Sequence, residues 1–182
     1  MKITRKNWMQ IHTYLSLFFL PAAMIYALTG ALYIFDIRED AGATIHEYKL
    51  ESAPKKGEEV QFMIALLQKH NLEIPKNTEM RNHRGNPTIG NIRYNVSIIK
   101  EQNGSFILRT VDRSLYGILV LMHKSKGKYY FDIVAVGFSV SLMLFYLSGL
   151  IVTSFAKANR KTAFGILGLG FIITAMAVYY SV

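Results

Sequence analysis

Residues 11–35, IHTYLSLFFLPAAMIYALTGALYIF, contain no lysine, arginine, aspartate or glutamate, and the stretch free of these residues already begins at Asn7. An apolar helix needs about 20 residues to cross a hydrocarbon core of about 30 Å. Ile11–Phe35 therefore reads as a transmembrane helix. It is too long for the apolar region of a secretory signal, and no convincing small-x-small cleavage site follows it, so it is expected to stay as an anchor. Outward from this segment, residues 133–156 and 162–182 are also free of these four residue types. They read as two further spans, Ile133–Phe155 and Thr162–Tyr180.

The composition agrees. Of 182 residues, 51% are hydrophobic and 13% aromatic, above an ordinary soluble domain. So apolar a chain is not disordered, and 13 Gly with 4 Pro exclude a collagen-like or low-complexity reading. The absence of cysteine excludes disulfides, thiolate metal sites, iron–sulfur clusters and a cysteine nucleophile. Any metal must sit on nitrogen or oxygen. The net charge of +9 suggests nucleic acid only superficially, because the basic residues flank the spans and form no arginine-rich or aromatic-interleaved patch.

The fold class expected is an α-helical membrane protein, with three transmembrane helices and a small α+β domain between the first two. In order, the chain reads as a basic N-terminus (1–10), span 1 (11–35), an extramembrane domain (36–113), an interfacial helix with a basic segment (114–128), span 2 (129–156), a basic turn (157–161) and span 3 (162–182). Lys2, Arg5 and Lys6, with Lys157, Arg160 and Lys161, place the N-terminus and the turn in the cytoplasm by the positive-inside bias. Lys124, Lys126 and Lys128 then fall on the outer side, against that bias. Within the domain, Ala43–Leu50 is extended, and Val60, Met63, Ile64 and Leu67 give Glu58–Lys69 helical spacing. Ile92–Ile98 alternates, Asn103-Gly104 turns, and Phe106 and Leu108 alternate again, which predicts a β-hairpin. Ser114–His123 is too short to span and reads as an interfacial helix.

No phosphate loop, dinucleotide glycine fingerprint, HExxH or serine elbow occurs. What remains is histidine in a membrane setting. His12 shares a helix face with Ser16, Ala23, Ala27 and Gly30. That face suits either a tight helix–helix contact with His12 as an interfacial anchor, or a flat cofactor with imidazole on its iron. His123 precedes Lys124, Lys126 and Lys128. This group suits haem, whose propionates would take the lysines, or a cluster binding lipid headgroups. Asp36, Glu39, Asp40, His46 and Glu47 supply hard oxygen donors and one imidazole, a mixture suited to iron or to a solvated acidic loop. His70 ends the predicted helix where a basic group suits the dipole. His83, among Arg81, Arg84 and Gly85, lies in a loop that could meet an anionic ligand.

The two halves repeat one arrangement. Trp8-Met9-Gln10-Ile11-His12 leads to a span containing Leu28-Thr29-Gly30-Ala31-Leu32, and Leu121-Met122-His123 leads to one containing Leu147-Ser148-Gly149-Leu150-Ile151. In this ordered set, over essentially the whole chain to about residue 155, the sequence resembles the PepSY-associated transmembrane family. The resemblance implies a PepSY-like periplasmic domain and a bacterial inner-membrane protein linked to iron or siderophore uptake. It further implies haem b, with His12 and His123 at the positions of the family's ligand histidines. The activity implied is a haem-dependent ferric or ferric-siderophore reductase, supplied by a quinol or protein electron donor and feeding a ferrous iron transporter. The alternative is a non-catalytic module that binds a peptidase or an uptake partner.

Distance adds an expectation about assembly. His12 lies 23 residues before Phe35, about 35 Å along a helix, whereas His123 is on the outer side. One chain with this topology cannot place both on one iron. A homodimer is therefore expected, with the small faces of span 1 meeting around the cofactor and His123 pairing with its symmetry mate or His46.

Overall fold

The computed structural model describes residues 4–83, 85–152 and 160–182. The end of the predicted second span beyond 152, residues 157–159 of the predicted turn, and Arg84 lie outside the described residues. Helix α1 runs Arg5–Ile34, α2 Glu59–Lys69, α3 Leu115–His123, α4 Tyr129–Val152 and α5 Arg160–Ser181. Three stretches, Lys6–Ile34, Tyr129–Gly149 and Arg160–Ser181, are long and apolar enough to cross a membrane. The chain has the make-up of a helical membrane protein with a small α+β domain.

Helix α1 starts well before the apolar run, so much of the basic N-terminal segment is helical. Thr4 explains the start. Its carbonyl accepts from the Trp8 N–H at 3.1 Å and its hydroxyl accepts from the Asn7 N–H at 3.3 Å, satisfying amides that the first turn leaves open.

Two compact units are formed, one from residues up to Ala23 together with Val136 onward, the other from Met24–Ala135, so the division falls inside α1 and α4. In the second unit, strands β1 (Thr44–Leu50), β2 (Arg81–His83), β3 (Asn86–Gly90), β4 (Tyr94–Lys100) and β5 (Phe106–Asp112) make one sheet. Its order is β1-β5-β4-β3-β2 and every neighbouring pair is antiparallel. Side chains alternate along each strand, so one face carries Ile89, Val96, Ile98 and Leu108. These bury against Met63 and Leu67, the apolar stripe of α2. At roughly 1.5–3 kcal/mol per fully buried large apolar side chain, this layer is the main source of the domain's stability.

The expected β1, α2 and β4–β5 hairpin are present. The β2–β3 hairpin is not foreshadowed, because Arg81–Gly90 has no apolar alternation and carries Pro87. Pairing supplies what propensity does not: Ile89 lies opposite Val96 and Thr88 opposite Ser97. Gly90 makes the turn into β4 at φ +100°, and a Cβ there would run into the Tyr94 carbonyl.

Candidate functional site

Ser114 opens α3 in extended geometry, its hydroxyl accepting from the Gly117 N–H at 3.2 Å. That cap fixes α3 so that His123 falls in its last turn. Within the Met24–Ala135 unit, His123 Nδ1 lies 2.7 Å from Thr29 Oγ1, and Thr29 is only 2% exposed. The Tyr26 ring lies 4.3 Å from the imidazole, centroid to centroid. Gly30 completes the setting, since a Cβ there would stand 3.7 Å from His123 Cε1.

The other unit holds a second pair of the same kind. His12 Nδ1 lies 2.8 Å from Ser148 Oγ, Ser148 is 2% exposed, and the Phe145 ring meets the imidazole edge-on at 5.5 Å. Ser16 donates to the His12 carbonyl at 2.7 Å. Beside Ser148, a Cβ on Gly149 would meet nothing within 4 Å.

Each hydroxyl has a backbone carbonyl within reach besides the ring. A hydroxyl has one proton. Thr29 gives its proton to the Ile25 carbonyl at 2.6 Å and Ser148 gives its own to the Phe145 carbonyl at 3.1 Å. With the hydroxyl proton there, the shared hydrogen comes from histidine Nδ1; a hydroxyl turned toward the ring instead donates to it, and the ring is then the Nε2–H tautomer. A neutral ring protonated at Nδ1 carries its lone pair on Nε2, the form in which imidazole ligates a metal, with Nδ1–H held by an outer partner. The donor chemistry therefore fits an imidazole-ligated iron at both positions. His12 is the sole histidine in the sequence of its unit.

The predicted acidic set does not converge. His46 and Glu47 are successive in β1 and turn to opposite faces of the sheet, His46 opposite Thr110 and Glu47 opposite Arg109. Arg109 takes Asp40 at 3.0 Å and Glu47 at 3.5 Å, Asp36 pairs with Arg38, and Lys124 lies 3.2 Å from Glu39. Among the described residues no group of three or more histidine and carboxylate side chains is gathered for a metal. Burial opposes ionisation of Glu39. Hydrogen bonding to backbone and the Lys124 ammonium outweigh it, and the carboxyl is held below its ordinary value.

Of the predicted propionate partners, Lys124 also stands 5.1 Å from the Tyr33 ring centroid, while Lys126 and Lys128 are exposed. His70 stacks on Tyr48 at 3.9 Å. The two hydroxyls, Thr29 and Ser148, carry roles that reading for histidines alone does not assign. Their signal is the repeated hydroxyl-Gly pair. No protein-family model matches the chain, and no curated protein or solved structure does either.

Proposed function

We propose that the chain is a haem b-binding membrane protein of the bacterial inner membrane that passes electrons to periplasmic ferric iron or a ferric siderophore. The observation that carries this reading is that His12 and His123 each set Nδ1 against a buried hydroxyl, at 2.8 Å and 2.7 Å, a placement that suits an Nδ1–H held by an outer partner and a ligating Nε2. Haem held by such nitrogens supplies an iron that gains and loses one electron by outer-sphere transfer.

The chain's own residues position and tune. Thr29 and Ser148 fix ring orientation and tautomer, and as hydrogen-bond acceptors they raise the basicity of the ligating nitrogen. Tyr26 and Phe145 limit ring rotation by contact. The electron donor proposed is a quinol or a protein. The ferrous product would pass to a ferrous iron transporter. A homodimer, with its PepSY-like domain in the periplasm and its N-terminus in the cytoplasm, supplies a second His12 and completes bis-imidazole ligation.

The test is a visible spectrum of detergent-purified protein before and after dithionite. A Soret band with low-spin α and β bands on reduction is expected, lost or converted to a five-coordinate form in His12→Ala and His123→Ala. A colourless protein from haem-replete cells overturns the reading in favour of a non-catalytic binding module. A fully loaded low-spin monomer overturns the dimer alone.

A further inference from the structure

The sheet has a second face, and α2 does not cover it. Strand alternation places Thr88, Ser97 and Arg109 there, with Thr88 and Ser97 hydrogen-bonded at 2.9 Å. Together with the segment after α3, this face lines a cleft of about 420 Å³, floored in part by Ile99, Val111 and Leu121. The volume lies in the range of small-molecule sites.

The charge in the cleft is unbalanced. Among the described residues five cations line it, Arg81, Arg109, Arg113, Lys124 and Lys126, against two carboxylates, Glu39 and Asp40, and with Glu47 also on Arg109 at 3.5 Å the formal excess is two positive charges. Both acids are already committed. Asp40 is shared between Arg109 at 3.0 Å and Arg113 at 3.5 Å, and Glu39 is taken by Lys124. Arg113 is 12% exposed, donates from Nη1 to the Ile92 carbonyl at 3.1 Å, and keeps a buried Nε with no hydrogen-bond partner among the described residues. Arg81 is anchored by a bond from its guanidinium to the Gly90 carbonyl and pairs with no acid among the described residues. A concave wall focuses this excess into the cleft. Guanidinium forks bind oxyanions at two points, which suits carboxylate and phosphate groups alike.

We propose that this cleft is a binding site for a small, multiply charged oxyanion, a polycarboxylate or a phosphoryl compound. The site stands on the domain alone and does not depend on haem at His12 or His123.

Calorimetric titration of the full chain in uncharged detergent, at fixed ionic strength, tests it with citrate, pyrophosphate and, as a monovalent control, acetate. Citrate or pyrophosphate should bind and acetate should not. The exposed pair Arg81→Gln with Lys126→Gln should weaken binding by roughly tenfold or more, with only a slight fall in the unliganded melting temperature from loss of the Arg81 bond to the Gly90 carbonyl. Ser97→Asp, which sets a carboxylate opposite Arg109 in the register, should abolish binding. Binding confined to phosphatidylglycerol nanodiscs and lost in the double variant keeps the site and identifies a lipid phosphate as its source. No binding of any of these anions at about 10 mM, or binding that the double variant leaves unchanged, overturns the proposal.

Discussion

Replacing Thr29 with valine removes one oxygen and almost nothing else. The shape and χ1 preference of the side chain are preserved, and at 2% exposure water cannot take the place of the hydroxyl. In the Nδ1–H tautomer of His123 that the proposed ligation requires, this N–H, 2.7 Å from Thr29 Oγ1, is left unpaired, at a cost of about 1–3 kcal/mol. If the ring ligates haem, loss of an outer hydrogen-bond partner weakens affinity by about 10- to 100-fold, or about 1.4–2.7 kcal/mol. The two estimates agree. The sign of the redox effect also follows: without an acceptor on Nδ1–H the imidazole is a poorer donor, ferrous iron is favoured, and the midpoint potential rises. Spectroelectrochemical titration and a haem-dissociation assay on wild type, Thr29→Val and Thr29→Ser would read both quantities. Serine keeps the oxygen and should restore most of the affinity and the potential. A valine variant with unaltered haem affinity and potential would refute the tautomer assignment, because a packing role alone would not separate valine from serine in this direction.

Ser148→Ala should act on His12 as Thr29→Val acts on His123, lowering haem affinity by about tenfold at that position and leaving the His123 signal in place, which resonance Raman or EPR of the two variants can show. Gly117→Ala should destabilise the Met24–Ala135 unit by about 1–3 kcal/mol, measured by thermal melting, since the new methyl group runs into the Glu39 carbonyl. The carboxyl of Glu39 is held below its ordinary value, so it stabilises the fold above the unfolded carboxylate pKa and that contribution is lost as pH falls through the folded one. Lys124→Gln should flatten this acid limb of a melting-temperature profile and leave the neutral limb in place.

Where one face of an element is apolar, the sequence is sufficient. Val60, Met63 and Leu67 mark α2, Val96 and Ile98 mark β4, and the charge-free runs mark the long helices, because burial imposes the period of each. Arg81–Gly90 shows no such period. Its strands exist because β4 offers an unpaired edge, and a lone segment does not reveal its partner. The candidate site divides in the same way. The histidines and the repeated hydroxyl-Gly pairs stand out in the sequence. That His12 meets Ser148 and His123 meets Thr29 requires chain-distant contacts that spacing does not encode. The acidic set at 36–47 is close along the chain, whereas strand alternation turns His46 and Glu47 to opposite faces of the sheet.

One of the two compact units is continuous in sequence, Met24–Ala135, and the other is assembled from both ends of the chain. A protein made from its N-terminus therefore completes them in a fixed order. His123 can close on Thr29 once residue 123 has emerged, whereas His12, although made first, waits for Ser148, 25 residues later. At about 5–20 residues per second, that wait lasts roughly one to five seconds after the first pair is possible. During this interval the oldest histidine in the chain has no hydroxyl to hold its ring. The later pair is thus the step in biogenesis most exposed to a truncated or stalled chain, and a product ending before residue 148 would keep the sheet domain and the His123 pair while never forming the His12 one.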